Sequence, residues 1–329
     1  MNLVTGATGH IGNVLVKELT QRGESVRVLI LPGEDLTPIN DVNVEIVYGD
    51  ILDPECLVEA FKDIDTVFHL AGLISIVEGE DLTVRAVNVE GTRNMIHAAM
   101  HGNVKKFIYT SSIHAFKRTQ TGIVIDESIP IDPKLNIGAY DRSKAEATLL
   151  VQEYVKKGLP AVIVCPTGVI GPYDYKGSEL GELMHGWMVN KVNYMIDGKY
   201  DFVDVRDVVQ GMIQARDKGT IGQIYILSGQ LLRVADLWEL VKEILSVKSY
   251  LVHIPVKLAR FATYFAELYY KISHAKPKLT KYSIDTLQTN AVISNSKARE
   301  SLGYNPRPPK ETVRDTVSWW NNHKKLGIH

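Results

Sequence analysis

The chain has 329 residues, of which 45% are hydrophobic, so it is long enough for one large domain with a smaller partner. Its 37 basic and 38 acidic side chains give a formal net charge of −1, and no basic block is interleaved with aromatic residues, which argues against a nucleic-acid partner. Its two cysteines provide no disulfide framework, and no Cys/His cluster has zinc spacing, so we expect no metal site.

Two features bear on the cellular compartment. The sequence opens directly on a predicted strand, which leaves no room for a signal peptide, so we expect a cytoplasmic protein. The most membrane-like segment is 256–272, but four charged residues interrupt it and it is short for a membrane span. A helix packed on the core or lining a pocket is favoured over a helix lying on a membrane surface.

The first predicted elements are a short apolar strand over 1–4 and an amphipathic helix over 11–22, joined by a turn that contains Gly6, Gly9 and Gly12. Unpaired N–H groups at the start of a helix can bind a diphosphate. The spacing is Gly-x-x-Gly-x-x-Gly rather than the commonest dinucleotide fingerprint, Gly-x-Gly-x-x-Gly. Alone, three glycines after a strand are a weak signal, and an ordinary connection between a strand and a helix is the less favoured alternative.

Strand and helix patterns then alternate. Continuous apolar runs predict strands at 26–31, 44–48, 66–70, 104–110 and 161–165. Helical patterns lie at 54–62, with Asp53 as N-cap, and at 82–100 and 140–156. Apolar strands between helices predict an α/β fold, a Rossmann doubly wound parallel sheet covered on both faces.

This alternation ends after Pro172. The segment 173–200 is predicted to be an irregular loop, followed by a helix over 204–217 and a strand over 223–227. From Leu231 onward the pattern is mostly helical and ends in a helix over 310–322. We therefore predict a dinucleotide-binding domain of residues 1–171 and 202–228, and a smaller, mostly helical substrate domain of residues 172–201 and 229–329.

Candidate binding residues follow the predicted strands, where such a sheet binds its ligand. Asp50 comes directly after the strand at 44–48, and its carboxylate can accept from an adenine amino group. Ala71 and Gly72, after the strand at 66–70, allow the backbone to approach a flat ligand. His69 is interpreted as a histidine at the edge of the core rather than a catalyst.

The candidate catalytic residues are Ser112, Tyr140 and Lys144. Tyr140 and Lys144 lie four apart on one helical face. An ammonium group beside a phenol stabilises the phenolate and lowers the tyrosine pKa from its usual value of about 10. Tyr140 then suits proton exchange with a carbonyl or an alcohol, and Ser112, at a strand end, can hold the same oxygen. By itself this Tyr/Lys spacing is mostly surface decoration, but here it follows a dinucleotide turn.

The order of motifs along nearly the whole chain resembles the extended short-chain dehydrogenase/reductases, the family of the NAD-dependent epimerases and dehydratases. The apolar, tyrosine-rich segment 256–272 and the stretch 277–280 resemble the 3β-hydroxysteroid dehydrogenase and dihydroflavonol reductase branches, which implies an apolar or aromatic carbonyl substrate. The motifs that carry the resemblance are 5–12, Asp50, 69–72, 88–92, 109–112, Tyr140 with Lys144, Pro166, Gly171-Pro172, 202–208 and 302–304.

The resemblance implies a role for each matching residue. Tyr140 would be the catalytic acid/base, Lys144 would lower its pKa and hold the nicotinamide ribose, and Ser112 would hold the substrate oxygen. Asn88 matches an active-site asparagine, although a purely structural bond across the core is an equal alternative. The implied cofactor-binding residues are Gly6, Thr8, Gly9, His10, Ile11, Gly12, Asp50, Ile51, Leu70, Ala71, Gly72, Thr110, Tyr140, Lys144, Pro166 and Val169. Relatives commonly form homodimers through two long helices, here 81–101 and 140–156.

Departures from the family pattern limit what the resemblance implies. The family's NAD enzymes place an acid at the end of the second strand and its NADP enzymes an arginine, whereas this chain has Ile30-Leu31-Pro32-Gly33 followed by Glu34 and Asp35. Without a neighbouring cation the sequence favours NAD over NADP. No carboxylate follows Ser112, which disfavours sugar dehydration. Tyr200 replaces the arginine that usually binds a nucleotide-sugar diphosphate, although Arg216, Arg233 or Arg260 could substitute.

We therefore predict an NAD(P)-dependent oxidoreductase that acts on a small, apolar or aromatic carbonyl or alcohol. A nucleotide-sugar epimerase with tightly bound NAD is the alternative, and a catalytically silent dinucleotide-sensing regulator is a third possibility. His114 and Lys117 could face the substrate, but we interpret both as solvated loop residues.

Overall fold

A computed structural model describes residues 1–74, 81–120, 122–135, 138–246, 248–263, 280–289 and 291–323. The strands are β1 (Asn2–Thr5), β2 (Val26–Ile30), β3 (Glu45–Tyr48), β4 (Thr66–His69), β5 (Lys106–Thr110), β6 (Ala161–Pro166), β7 (Gly168–Ile170), β8 (Val192–Ile196), β9 (Lys199–Asp204), β10 (Ile224–Leu227), β11 (Gln230–Arg233) and β12 (Tyr250–Ile254). The helices are α1 (His10–Gln21), α2 (Pro54–Ala60), α3 (Asp81–Arg85), α4 (Thr92–His101), α5 (Ala139–Val155), α6 (Glu179–Val189), α7 (Val205–Lys218), α8 (Val234–Leu245), α9 (256–263 as described), α10 (Lys281–Leu287), α11 (Ser296–Leu302) and α12 (Pro309–His323).

Seven strands form the main sheet, in the spatial order β10-β6-β5-β4-β1-β2-β3, and all neighbours are parallel. The chain order reverses between β1 and β4, and this switch point is where such sheets bind ligands beyond the strand ends. The predicted Rossmann doubly wound sheet is confirmed.

The strands are apolar throughout because each face of the sheet is covered. Alternate residues point to opposite faces, so Leu3 packs with α2, α4 and α5 while Val4 packs with α1, α7 and α11. Both residues are fully buried. One hydrophobic core therefore lies on each face of the parallel sheet.

A third core belongs to the carboxyl-terminal half, where α6, α8 and α12 pack on β7 and β9. Trp187 and Trp238 are buried in it, with 3% of each side chain exposed. Two small sheets, β11-β9-β7 and β12-β8, complete this region. The exact division into two domains stays a prediction.

One prediction for this half is wrong. The segment 173–200 is not an irregular loop, because it contains α6, capped by the Ser178 hydroxyl, and β8. The described residues from Leu231 onward are mostly helical, as predicted, with two short strands in addition: β11, and β12, which pairs in parallel with β8. A pairing between strands so far apart in sequence leaves no local signal.

The predicted helix over 82–100 is present, but its middle is widened. Residues Ala86–Gly91 form a π-helical segment between α3 and α4. Such segments are rare and are frequently found at functional sites. Asn88 lies in this segment.

Among the described residues, no helix is long and apolar enough to cross a membrane. The membrane-like segment at 256–272 begins as α9, and its remainder lies outside the described residues.

Candidate active site

The glycine-rich turn between β1 and α1 is closed on itself. Gly6 has a φ of +68°, which glycine adopts readily, and its carbonyl accepts from the N–H of Gly9 at 3.0 Å. A Cβ on Gly12 would collide with the carbonyl oxygen of Gly6. Gly6 and Gly12 are therefore required by the conformation and packing of the turn.

The amino end of α1 suits an anion. Its N-cap is Gly9, no side chain caps it, and no acidic residue lies in its first turn. The first N–H groups of the helix, at His10 and Ile11, thus point toward the turn with the positive end of the helix dipole. Thr8, which is 1% exposed, also lies in this turn. These residues fit the diphosphate of a dinucleotide.

His10 anchors the turn to a distant segment. Its Nε2 donates to the carbonyl oxygen of Pro172 at 3.0 Å. The neighbouring Asn13 Nδ2 donates to the carbonyl oxygen of Tyr173 at 3.1 Å. The segment after β7 therefore runs along the start of α1.

A buried polar chain connects the ends of β1 and β4 to the π-helical segment. His69 is fully buried, with Nδ1 2.8 Å from the Thr5 hydroxyl and Nε2 3.0 Å from the Thr92 hydroxyl. Thr92 in turn donates to the carbonyl of Asn88 at 2.7 Å. The interpretation of His69 as a core residue is confirmed.

Asn88 holds the backbone that follows β4. Its side chain accepts from Leu73 N–H at 2.7 Å and donates to the Leu73 carbonyl at 2.9 Å and to Ser143 Oγ at 2.8 Å. A Cβ on Gly72 would lie 3.1 Å from Asn88 Oδ1 and 3.4 Å from Lys144 Nζ. Of the two alternatives for Asn88, the bond across the core is present, and it lies beside Lys144.

The two serines after β5 have different surroundings. Ser111 Oγ lies 2.6 Å from the Thr148 hydroxyl of α5, so it contributes to packing between the strand and the helix. Ser112 Oγ accepts from His114 N–H at 3.2 Å and caps a short 3-10 turn over Ile113–Ala115. This difference supports Ser112, rather than Ser111, as the candidate catalytic serine.

Tyr140 and Lys144 lie in the first turns of α5, and Lys144 Nζ donates to the carbonyl of Thr110 at 2.8 Å. Burial raises the pKa of Tyr140 to about 12, and a hydrogen bond with Ser112 opposes the rise. Burial lowers the pKa of Lys144 to about 8. The predicted lowering of the tyrosine pKa is thus absent here, because removal of the phenolate from water outweighs any nearby positive charge.

The other predicted cofactor residues lie along the same edge of the sheet. Asp50 and Ile51 follow β3, Leu70 and Ala71 follow β4, Thr110 ends β5, Pro166 ends β6, and Val169 lies in β7. Asp50 accepts from Leu52 N–H at 2.9 Å, while Asp53 caps α2 as predicted. Ile51 is buried against Gly91. The parallel topology therefore brings the ends of β1, β3, β4, β5 and β6 to one edge.

A buried network beside Tyr140 was missed by the sequence analysis. Asp141, 1% exposed, accepts from Arg118 Nη2 at 3.0 Å and from the Tyr282 hydroxyl. His114 Nδ1 lies 3.5 Å from the same carboxylate, and His114 Nε2 lies 2.7 Å from the Tyr200 hydroxyl.

His114 is therefore not a solvated loop residue, and that interpretation was wrong. The turn capped by Ser112 directs its ring inward, 6.1 Å from the Tyr140 ring. Burial lowers the pKa of His114; the Asp141 carboxylate opposes this and Arg118 adds to it. Lys117 is exposed, as expected. The sequence signal that could have revealed this network is Asp141, an acidic residue directly after Tyr140 on the buried side of α5.

Comparison with known proteins identifies the family of this chain. The family model described as NAD dependent epimerase/dehydratase matches residues 2–228.

Full-length relatives are also found. Sterol demethylase protein B of Methylococcus capsulatus is 29% identical over 320 residues, covering 97% of each chain. A 3 beta-hydroxysteroid dehydrogenase/Delta 5-->4-isomerase of Mycobacterium tuberculosis is 28% identical, covering 92% of this chain and 85% of the relative. The crystal structure of gox2253 superposes with a TM-score of 0.86 at 32% identity, covering 98% of each chain.

Proposed function

Because the chain belongs to the NAD-dependent epimerase/dehydratase family, we propose that it is an oxidoreductase that moves a hydride between a nicotinamide dinucleotide and a carbonyl or secondary alcohol. Membership of this family implies a nicotinamide cofactor. The reaction, the substrate class and the roles of individual residues are our proposal.

In the proposed mechanism Tyr140 exchanges a proton with the substrate oxygen and Ser112 holds that oxygen. The raised pKa of Tyr140, about 12, keeps the phenol protonated at neutral pH, which suits proton donation to a carbonyl. Lys144 and the carbonyl of Thr110 fix the active face of α5 against the end of β5. The glycine turn with His10 and Ile11 holds the diphosphate.

The observation that carries this proposal is the convergence of three elements. The glycine turn follows β1, Ser112 follows β5, and the Tyr140/Lys144 face of α5 meets both Thr110 and Gly72. This arrangement supports a site in which the proposed proton-transfer groups and the proposed diphosphate-binding turn share one edge of the sheet.

An apolar or aromatic substrate is supported by the engagement of the candidate arginines. Arg216 pairs with Glu24 near the amino end of β1, at the opposite edge of the sheet from the site. Arg233 pairs with Asp236, and Arg260 pairs with Asp285. None of the three is positioned as an obvious partner for a sugar-nucleotide diphosphate. One of the relatives is named a 3 beta-hydroxysteroid dehydrogenase, which points the same way.

We also propose a homodimer through the helices spanning 81–101 and 140–156. Leu82 and Leu149 on these helices are 84% and 38% exposed, which supports a partner surface. Sedimentation equilibrium would test it: a monomer at micromolar concentration contradicts this part of the proposal.

Retention of cofactor tests the reaction class. A reductase must exchange its dinucleotide at each turnover, so purified protein passed through gel filtration should release it and then bind added NADH or NADPH. Stoichiometric NAD that survives gel filtration would contradict the reductase and favour the epimerase. If the wild-type protein binds the dinucleotide but converts none of the carbonyl compounds tested, the result would favour the catalytically silent regulator.

A further inference from the structure

Lys176 and Glu34, which are 142 residues apart, meet on the hydroxyl of Thr8. Lys176 Nζ lies 2.5 Å from Glu34 Oε1 and 2.9 Å from Thr8 Oγ1. Thr8 donates to the same Glu34 oxygen at 2.5 Å. The other Glu34 oxygen accepts from Leu31 N–H at 3.4 Å. Glu34 is therefore folded back from the end of β2 onto the glycine turn.

Lys176 is held there by the segment that carries it. Besides the contacts of Pro172 and Tyr173 with α1, the Tyr175 hydroxyl accepts from Lys17 Nζ at 3.5 Å. Asp174, 2% exposed, accepts from both Ser178 N–H and Ser178 Oγ at the start of α6. The residues on both sides of Lys176 therefore make buried or partly buried contacts, which hold the segment that carries it in place.

The position of the pair suggests its partner. In a doubly wound sheet the diphosphate lies at the first glycine turn, and the adenosine ribose lies toward the end of the second strand. Glu34 occupies the space between these two points, since it contacts Thr8 of the turn and Leu31 after β2. The stretch directly after β2 contains no cation of its own, and Lys176 reaches it from beyond β7.

We propose that Glu34 and Lys176 form the element that selects between NAD(H) and NADP(H), with Glu34 accepting from the ribose hydroxyls and Lys176 holding Glu34 in place. This inference rests on the proposed function, since it requires a dinucleotide at the glycine turn. Glu34 opposes a 2′-phosphate through like charge, and NAD(H) is preferred. Lys176 is the positioning residue, and its charge is available to a phosphate once Glu34 is neutral.

The charge state of Glu34 is compatible with this role. Burial acts to raise its pKa, but hydrogen bonds from Lys176 and Thr8, together with the charge of Lys176, hold the pKa below its usual value. Glu34 is then ionised at neutral pH. An ionised carboxylate accepts hydrogen bonds and repels a second anion at short range.

The test measures dissociation constants for NADH and NADPH by fluorescence, at low salt, for wild type, Glu34→Gln, Lys176→Met and the double variant. Wild type should prefer NADH. Glu34→Gln should shift the ratio toward NADPH by about tenfold or more, the effect of one charge-assisted hydrogen bond. Lys176→Met should weaken the NADH preference, because Glu34 loses the group that holds it in place, and the double variant should lose the NADPH gain of Glu34→Gln.

Asp35→Asn is the matched control, because Asp35 is the adjacent exposed acid and accepts from Thr37 rather than from the turn. Its ratio should equal that of wild type. A Glu34→Gln ratio equal to that of Asp35→Asn would overturn the inference, as would a NADPH gain that persists in the double variant. Wild type that binds neither dinucleotide would overturn the proposed function as well, so the two failures are distinguishable.

Discussion

The hydroxyl of Thr5 donates its proton to Nδ1 of His69. Thr5 Oγ1 accepts from the N–H groups of Leu70 and Ala71, at 3.2 and 3.1 Å, so its one hydrogen is left for His69, 2.8 Å away. Nδ1 is then unprotonated and Nε2 carries the hydrogen, which it donates to Thr92. Since Thr92 donates onward to Asn88, the neutral Nε2–H tautomer connects β1, β4 and the π-helical segment.

Protonation of His69 should therefore unfold the protein at acidic pH. Burial lowers the pKa of His69 from 6.5 to about 3. The unfolded chain takes up the proton near pH 6.5 and the folded chain does not, so stability is lost as pH falls from about 6.5 toward 3, by up to about 4 kcal/mol. Urea unfolding of wild type at several pH values in this window measures the loss.

The variant His69→Asn keeps an acceptor near Thr5 but cannot titrate. It should be less stable than wild type at pH 7, and its free energy of unfolding should depend less on pH below 6.5. His101→Asn, at an exposed histidine, should follow the wild-type curve. Parallel pH curves for His69→Asn and wild type would refute the buried neutral histidine.

Asp141 should be much more important for stability than other acids of α5. Asp141→Ala leaves the Arg118 guanidinium, 17% exposed, without its carboxylate, which should cost about 3–5 kcal/mol in the free energy of unfolding. Glu146→Ala, on the same helix, removes a surface pair with Arg85 and should cost about 0–1 kcal/mol. Equal losses in the two variants would show that the network beside Tyr140 contributes little.

The two serines after β5 should separate activity from stability. Ser112→Ala removes the group proposed to hold the substrate oxygen and should reduce kcat by about 100-fold with little change in cofactor affinity. Ser111→Ala removes the hydrogen bond with the Thr148 hydroxyl, which still donates to the Lys144 carbonyl at 2.6 Å, and should cost about 1 kcal/mol of stability while turnover persists. The reverse pattern, with Ser111→Ala inactive and Ser112→Ala active, would reassign the serine.

Most of the main sheet could be predicted because its signals are local. Each parallel strand is an uninterrupted apolar run, and Asp53-Pro54 marks the start of α2 through capping alone. The order of motifs then indicated the candidate site, formed by the glycine turn, Ser112 and the Tyr140/Lys144 face. These features depend on residues within one or two elements.

The missed features depend on contacts between distant residues. In α6, Gly181 packs so closely on Asp174 that a side chain would collide with the carboxylate, so a residue that weakens the helical pattern is required by tertiary structure. Glu34 meets Lys176 across 142 residues, and His114 meets Tyr200 across 86. No periodicity or residue spacing along the chain predicts which distant residues make such contacts.

Turnover and binding by Tyr140→Phe test the central claim most directly. A panel of steroid, aromatic and aliphatic ketones is incubated with NADH or NADPH, and oxidation of the reduced nicotinamide is followed by absorbance. Wild type should oxidise the cofactor with at least one apolar ketone, and Tyr140→Phe should lose about 100-fold or more in kcat while binding the cofactor with the same Kd. Unchanged turnover in Tyr140→Phe would contradict the account.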